Sequence, residues 1–265
     1  MDLGLKGKSV IITGGGSNIG RAITLGFAKE GAKITIADIE PKQAEKVAEE
    51  ARKLGAGDVQ VIETDVTDFE AVGRMANAAR EKYGRIDVLV SNVGWDRLMF
   101  FTKTTPDLWE RIININFVGL LNCTKHVLDT MIDQNDGAII AISSDASRQG
   151  EPTEAVYGGM KAATNSFMKT IAKENGRFGI RCNVVCPGVT VSENPDDFSK
   201  TSMWKTGDLG FSDESLAKIA KMMPLKKIGR PEDIVGAVLY FASRKVAGHT
   251  TGQVLSASGG YSMIG

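Results

Sequence analysis

The chain has 265 residues, 42% of them hydrophobic, and its 32 basic side chains balance 32 acidic ones. The apolar fraction excludes a disordered chain, and the length suits one α/β sheet covered by helices on both faces. Charge balance argues against a nucleic-acid partner, and no run approaches the roughly 20 apolar residues that cross a bilayer.

Taken in chain order, short β-rich apolar runs alternate with segments whose apolar residues recur every third or fourth position. Strands are predicted over 9–13, 33–37, 59–62, 88–91, 138–143, 181–186 and 254–256. Strands separated by helices require right-handed crossovers and a parallel sheet. The expected fold is therefore a single-domain Rossmann-type α/β fold, a doubly wound parallel sheet of about seven strands spanning 1–265. The opening MDLGLKGKSVIITGGG carries no apolar core of signal-peptide length, which makes a cytoplasmic location the expectation.

The first strand runs into Gly14-Gly15-Gly16-Ser17-Asn18-Ile19-Gly20 and then a helix. Glycines there let the backbone approach a pyrophosphate, and the free N–H groups at a helix start attract its charge. The second strand ends at Asp38, 18 residues after Gly20. A carboxylate at that point accepts hydrogen bonds from the adenosine ribose and repels a 2′-phosphate. No Arg or Lys stands at Gly15, Gly16, Ser17 or Ile39 to welcome that phosphate, so the expected cofactor is NAD.

Further along, Tyr157-Gly158-Gly159-Met160-Lys161 lies in a helical pattern. Residues four apart share a helix face, so phenol and ammonium point into one cleft. An ammonium and the positive nicotinamide both favour phenolate, drawing the tyrosine pKa down toward the working range. Three cysteines, Cys123, Cys182 and Cys186, have no C-x-x-C spacing, and His126 and His249 are the only histidines. Neither a disulfide framework nor a metal site is expected, and Cys182 and Cys186 read as small apolar residues of a buried strand. From about 191 to 227 the rhythm breaks into a polar, Gly-dotted stretch with Phe198, Met203, Trp204, Phe211, Met222 and Met223. Such a stretch is either a binding lid or a surface excursion on its own domain.

These motifs together resemble the short-chain dehydrogenase/reductase family. The turn Thr13-Gly14-Gly15-Gly16-Ser17-Asn18-Ile19-Gly20 is similar to the family's T-G-x-x-x-G-x-G, with Asn18 in place of the middle glycine; Asn tolerates the left-handed backbone wanted there. Asp65-Val66 resembles the adenine-edge contact, and Ser91-Asn92-Val93-Gly94 resembles N-N-A-G, where Asn92 also ties down the central sheet. Ser144, 13 residues before Tyr157, has the spacing of the family serine and is preferred to Ser143. Asn116, three before Gly119 in a predicted long helix, matches the family asparagine that holds a water in the proton relay. Pro187-Gly188-Val189-Thr190 resembles the segment beside the nicotinamide, with Ser192 replacing a common threonine.

The resemblance implies a catalytic set of Asn116, Ser144, Tyr157 and Lys161 and a cofactor site built by Gly14, Gly16, Ser17, Asn18, Ile19, Gly20, Asp38, Ile39, Asp65, Val66, Asn92, Gly94, Tyr157, Lys161, Pro187, Gly188, Thr190 and Ser192. It also implies a homotetramer, with the Tyr157 helix and its neighbour forming one interface. Gly94-Trp95-Asp96, Phe101-Thr102-Lys103-Thr104, Trp109-Glu110-Arg111, Ser144-Asp145-Ala146 and Glu154-Ala155-Val156-Tyr157 are similar to a narrower branch, the 2-hydroxycyclohexanecarboxyl-CoA dehydrogenases. That branch implies a ring β-hydroxyacyl-CoA as substrate. Trp95, Met203, Trp204, Met222 and Met223 are then candidates for an apolar ring pocket. Asp145 and Arg148 are candidate substrate contacts, or pair with each other or with Glu154. Arg148, Lys200, Lys205, Lys221, Lys226 and Lys227 offer charge for coenzyme A phosphates or are solvated surface. The rival readings are a dehydrogenase of a free steroid, terpenoid or other cyclic alcohol, and a silent cofactor-binding subunit. A Ser-His-Asp hydrolase is excluded by the missing G-x-S-x-G elbow. The apolar end Tyr261 to Gly265 either docks on another subunit or frays.

Overall fold

β-Branched and aliphatic residues alternate sides along the first strand: Val10 and Ile12 face one layer of helices, Ile11 the other. Both faces must be covered, and the chain does so by winding helices to each side of the sheet. The structure, a computed structural model, describes residues 1–263. Its strands are Ser9–Thr13 (β1), Lys33–Asp38 (β2), Asp58–Glu63 (β3), Val88–Ser91 (β4), Gly137–Ile142 (β5), Ile180–Pro187 (β6) and Val254–Ala257 (β7). They form one parallel sheet of order β3-β2-β1-β4-β5-β6-β7. The predicted strands are all present, with ends moved by no more than a residue or two.

The helices are Asn18–Lys29 (α1), Pro41–Lys53 (α2), Phe69–Tyr83 (α3), Pro106–Ile113 (α4), Gly119–Gln134 (α5), Ala146–Gln149 (α6), Ala155–Asn175 (α7), Met203–Thr206 (α8), Asp213–Met222 (α9), Pro231–Ala242 (α10) and Arg244–Ala247 (α11). One core joins α1, α2 and α10 to the sheet through Ile23, Phe27, Val47, Ile234 and Val238. The other joins α3, α5 and α7 through Val72, Met75, Val127, Met131 and Met168. Each such fully buried side chain stabilises the fold by roughly 1.5–3 kcal/mol. Helix α1 lies close against α10: a Cβ on Gly26 would come within 2.4 Å of Val235 Cγ1. Local signals set the ends of α3, where the Asp68 carboxylate accepts from the N–H groups of Glu70 and Ala71, and Gly84 closes the helix at φ 76°. Cys123, Cys182 and Cys186 are free and buried.

The single long helix expected around Asn116 is interrupted. Between α4 and α5, residues Asn114–Val118 form a π turn, with the Gly119 N–H donating to the Asn114 carbonyl. Such turns are frequent at functional sites because they offset one side chain inward. The stretch 191–227 is a strap carrying α8 and α9, the latter begun by a Ser212–Ser215 capping box. Of the C-terminal stretch, Ile264 and Gly265 lie outside the described residues; Tyr261 donates to the Glu151 carboxylate at 2.6 Å and Ser262 is buried. Among the described residues, no helix is long and apolar enough to cross a membrane.

Candidate active site

The strand order reverses between β1 and β4, which leaves a crevice beyond their carboxyl ends, the place where open α/β sheets take ligands. A cleft of about 590 Å³ opens there. Its near end is built by the turn after β1. Gly20 cannot be replaced in this geometry, since a Cβ would lie 2.0 Å from the Gly14 carbonyl oxygen. Asn18 adopts the left-handed backbone at φ 43°. Its side chain donates to the Thr190 carbonyl and accepts from the Ser192 N–H at 3.1 Å, clasping the strap to the turn. Gly16 donates its N–H to Asp38 Oδ2 at 2.9 Å, and Glu40 donates to Asp38 Oδ1 at 3.0 Å. Burial raises the Asp38 pKa, and these two N–H groups pull it back. Asn92 secures the floor by donating to the carbonyls of Thr13 and Gly14.

Gly14, Ser17, Asn18, Ile19, Gly20, Asp38, Ile39, Asp65, Val66, Asn92, Gly94, Pro187, Gly188 and Thr190 all line this cleft, together with Thr64 and Val93. Gly16 and Ser192 stand behind it, Gly16 through Asp38 and Ser192 through Asn18. The shape and donors fit a nicotinamide dinucleotide: a glycine cradle at a helix start for the pyrophosphate, and a buried carboxylate at the end of β2 for ribose hydroxyls.

At the far end, Ser144, Tyr157 and Lys161 line the same cleft. Lys161 is buried, donates to the Ile142 carbonyl at 3.0 Å, and lies 5.5 Å from the Tyr157 ring centroid. Burial lowers the Lys161 pKa to about 8 against the opposing pull of Cys186 and Asp96. The Tyr157 phenol is pushed up, chiefly by burial and then by the negative charges of Glu154 and Asp96, while its hydrogen bond with Ser144 draws it down. In the protein alone this reverses the downward shift anticipated from the Tyr-Lys pair.

Asn116 is buried in the π turn and faces the cleft floor rather than lining it. Its Oδ1 accepts from the Trp95 N–H at 3.2 Å, and its Nδ2 donates to the carbonyls of Trp95 and Ile112. It thereby fixes Trp95, whose ring forms a wall with Met203, Trp204, Leu209 and Phe211. Trp204 stacks on Phe211 with centroids 5.6 Å apart, and Arg111 lies 3.8 Å over the Trp95 ring. Of the other apolar candidates, Met222 is exposed and Met223 is buried outside the cleft lining. Asp145 and Arg148 are also outside it: Ser256 donates to the Asp145 carboxylate at 2.6 Å, and Arg148 donates to the Val254 carbonyl and Ser256 Oγ. These two side chains anchor β7 instead of reaching a substrate. Lys227 pairs with Asp233, whereas Lys200 and Lys205 border a second cavity with Lys42 and Lys46.

Three contributors went unassigned in the sequence. Asp208 accepts from Trp95 Nε1 at 3.2 Å and from Arg97 Nε at 2.8 Å, latching the strap over the substrate end. No local pattern marks it. Asp96 and Glu154 line the cleft beside Tyr157. Glu154 was legible by spacing, since positions 154, 157 and 161 share one helix face.

Residues 14–262 match the family described as Enoyl-(Acyl carrier protein) reductase. The chain is 35% identical over 256 residues to a 3-oxoacyl-[acyl-carrier-protein] reductase FabG of Thermotoga maritima, covering 97% of this chain and 98% of that protein. It is 30% identical over 261 residues to an acetoacetyl-CoA reductase of Synechocystis, covering 98% and 99%. Among solved structures, a 7 alpha-hydroxysteroid dehydrogenase complexed with NADH and 7-oxo glycochenodeoxycholic acid superposes with a TM-score of 0.87 at 28% identity, covering 98% of this chain and 96% of that one. The chain therefore belongs to the short-chain dehydrogenase/reductase family, as an oxidoreductase acting on hydroxyl and keto groups with a nicotinamide cofactor.

Proposed function

We propose that the chain is an NAD-linked dehydrogenase interconverting a cyclic β-hydroxyacyl thioester, of the 2-hydroxycyclohexanecarboxyl-CoA kind, and its β-ketoacyl thioester. The observation that carries this reading is that Trp95, Met203, Trp204, Leu209 and Phe211 line the same cleft as Ser144 and Tyr157, an apolar wall for a ring in the space that holds the proton-transfer groups. Relatives named for 3-oxoacyl and acetoacetyl thioesters support an acyl substrate. Asp38, buried at the end of β2 with no cation among its hydrogen-bond partners, favours ribose hydroxyls over a 2′-phosphate and so NAD over NADP.

Bound NAD would supply the hydride acceptor. Tyr157 takes the proton of the substrate hydroxyl on its phenolate oxygen and returns it in the reducing direction. Ser144 donates a hydrogen bond to the reacting oxygen and steadies its developing charge. Lys161 would hold the ribose hydroxyls, and its charge favours phenolate. Asn116 keeps the Trp95 wall in place.

The test is NADH formation at mildly alkaline pH from a panel of cyclic alcohols, each free and as its coenzyme A thioester. Turnover confined to a ring β-hydroxyacyl thioester is the expected outcome. Good turnover of free alcohols would replace the thioester with a steroid-like or terpenoid-like substrate, and no NAD(H)-linked reaction would leave a silent subunit. A cytoplasmic homotetramer is proposed on the same resemblance. The exposed Phe100 and the Phe101–Trp109 stack, beside α4 where it packs on α7, supply apolar surface for an interface. Light scattering giving a monomer mass would remove it.

A further inference from the structure

Glu154 at the start of α7 and Tyr157 and Lys161 within it are separated by three and four residues, and all three line the cleft. Glu154 is the N-cap residue of α7, yet its side chain makes no capping hydrogen bond. Asp96, 3% exposed, lines the same cleft, and its Oδ2 has no hydrogen-bond partner among the described residues. Glu151, whose carboxylate accepts from the Tyr261 phenol, acts on Glu154 as well, and the other titratable groups lining the cleft on this side are Tyr157 and Lys161 on α7 and Arg111 stacked on Trp95.

Two acids sharing a desolvated pocket cannot both ionise easily. Burial, then Asp96 and Glu151, push Glu154 up to about 8; burial pushes Asp96 up to about 6, with Lys161 drawing it down. At neutral pH Asp96 is therefore the anion and Glu154 the acid. An acid in that place is a hydrogen-bond donor, and it stands one helical turn from Tyr157, about 5–6 Å between Cβ atoms. Tyr157 and Ser144 serve one substrate oxygen, so the donor at Glu154 is left for another carried close by.

We propose that Glu154 is a specificity residue: its carboxyl donates a hydrogen bond to a second substrate oxygen, the acyl carbonyl two carbons from the reacting carbinol or ketone. Asp96 acts as a positioning residue that keeps the proton on Glu154. The proposal rests on the β-hydroxyacyl reading above and adds the group that would enforce it. A simple cyclic alcohol offers nothing to this half-buried donor and leaves it without a partner, which costs binding.

The probes are ethyl 2-oxocyclohexanecarboxylate, which has the second oxygen, and cyclohexanone, which lacks it, each reduced with NADH and with NADPH from pH 6 to 9.5. The quantity read is the ratio of kcat/KM for the two ketones. At pH 7 the ratio falls roughly tenfold in Glu154→Ala, the worth of one hydrogen bond, and is kept in Glu154→Gln, whose amide also donates. In the wild type the ratio falls above about pH 8, in Glu154→Gln it stays flat, and in Asp96→Asn the break moves to lower pH. A wild-type ratio in Glu154→Ala, or a fall in Glu154→Gln equal to that in Glu154→Ala, overturns the donor role while the dehydrogenase reading stands. A wild type inert toward both ketones with both cofactors overturns the dehydrogenase reading and the proposal with it.

Discussion

At the scale of single residues, chemistry and binding separate cleanly. Tyr157, proposed to bear the proton transfer, and Asp38, proposed to set the choice of nucleotide, line one cleft. Tyr157→Phe should lower turnover by roughly 10²–10⁴ with NADH affinity nearly unchanged, because general acid–base catalysis is worth about that factor. Stopped-flow hydride transfer and NADH fluorescence titration read the two quantities, and turnover retained in the mutant would remove the proton-transfer role. Asp38→Ala should weaken NAD and raise the relative use of NADP, seen as a change in the ratio of kcat/KM for the two nucleotides. An unchanged ratio would take the discrimination away from Asp38. Both residues were legible in the sequence, because Y-x-x-x-K and the acid after the second strand are local patterns. The sign of the Tyr157 shift was not, since it comes first from burial of the phenol in the folded cleft, and then from Glu154 and from Asp96, which only the fold brings near. Asp145 and Arg148 misled for the opposite reason: adjacency in sequence to Ser144 placed them near the site, while Ser256 of β7 holds them out of it.

At the scale of elements, the strands and most helices followed from periodicity, with two exceptions that matter for the site. The π turn at Asn114–Val118 costs a regular hydrogen-bond register, and no residue type announces it. The strap at 191–227 has too little periodicity to place, and its role emerges from long-range hydrogen bonds. Thr201 donates both N–H and hydroxyl to Glu40 Oε1, Ser199 donates to Ser17 Oγ, and Asp208 accepts from Trp95 and Arg97. Asp208→Ala should free the substrate end of the strap while the other anchors stay. The expected result is a KM for substrate raised severalfold with the NADH Kd little changed, since an exposed Arg–Asp pair is worth about 1 kcal/mol or less and the Trp95 bond adds a comparable amount. An unaltered KM would show that the latch has no bearing on substrate.

At the scale of the whole molecule, the order of the sheet was accessible as a fold class, because alternating strand and helix patterns admit few topologies. The stability of that fold should depend on pH through the acids in its cleft. Asp96 and Glu154 have folded pKa values of about 6 and about 8, above the 3.8 and 4.5 of the free side chains. Between those limits the folded state holds protons that the unfolded chain has lost, so stability declines as pH rises. Asp96→Asn should therefore raise the melting temperature by an amount that grows from pH 4 to about pH 7 and then levels. A gain independent of pH would mean that Asp96 is not the buried titrating group. The strap has one more consequence. Because a single segment grips the nucleotide turn at Ser17 and Asn18 and the substrate wall at Trp95, ordering it for one ligand lowers the entropic cost of admitting the other. The two affinities are then thermodynamically linked: calorimetry should find that saturating NADH tightens an inert ketone analogue by the same factor by which the analogue tightens NADH, and that Asp208→Ala shrinks both factors together.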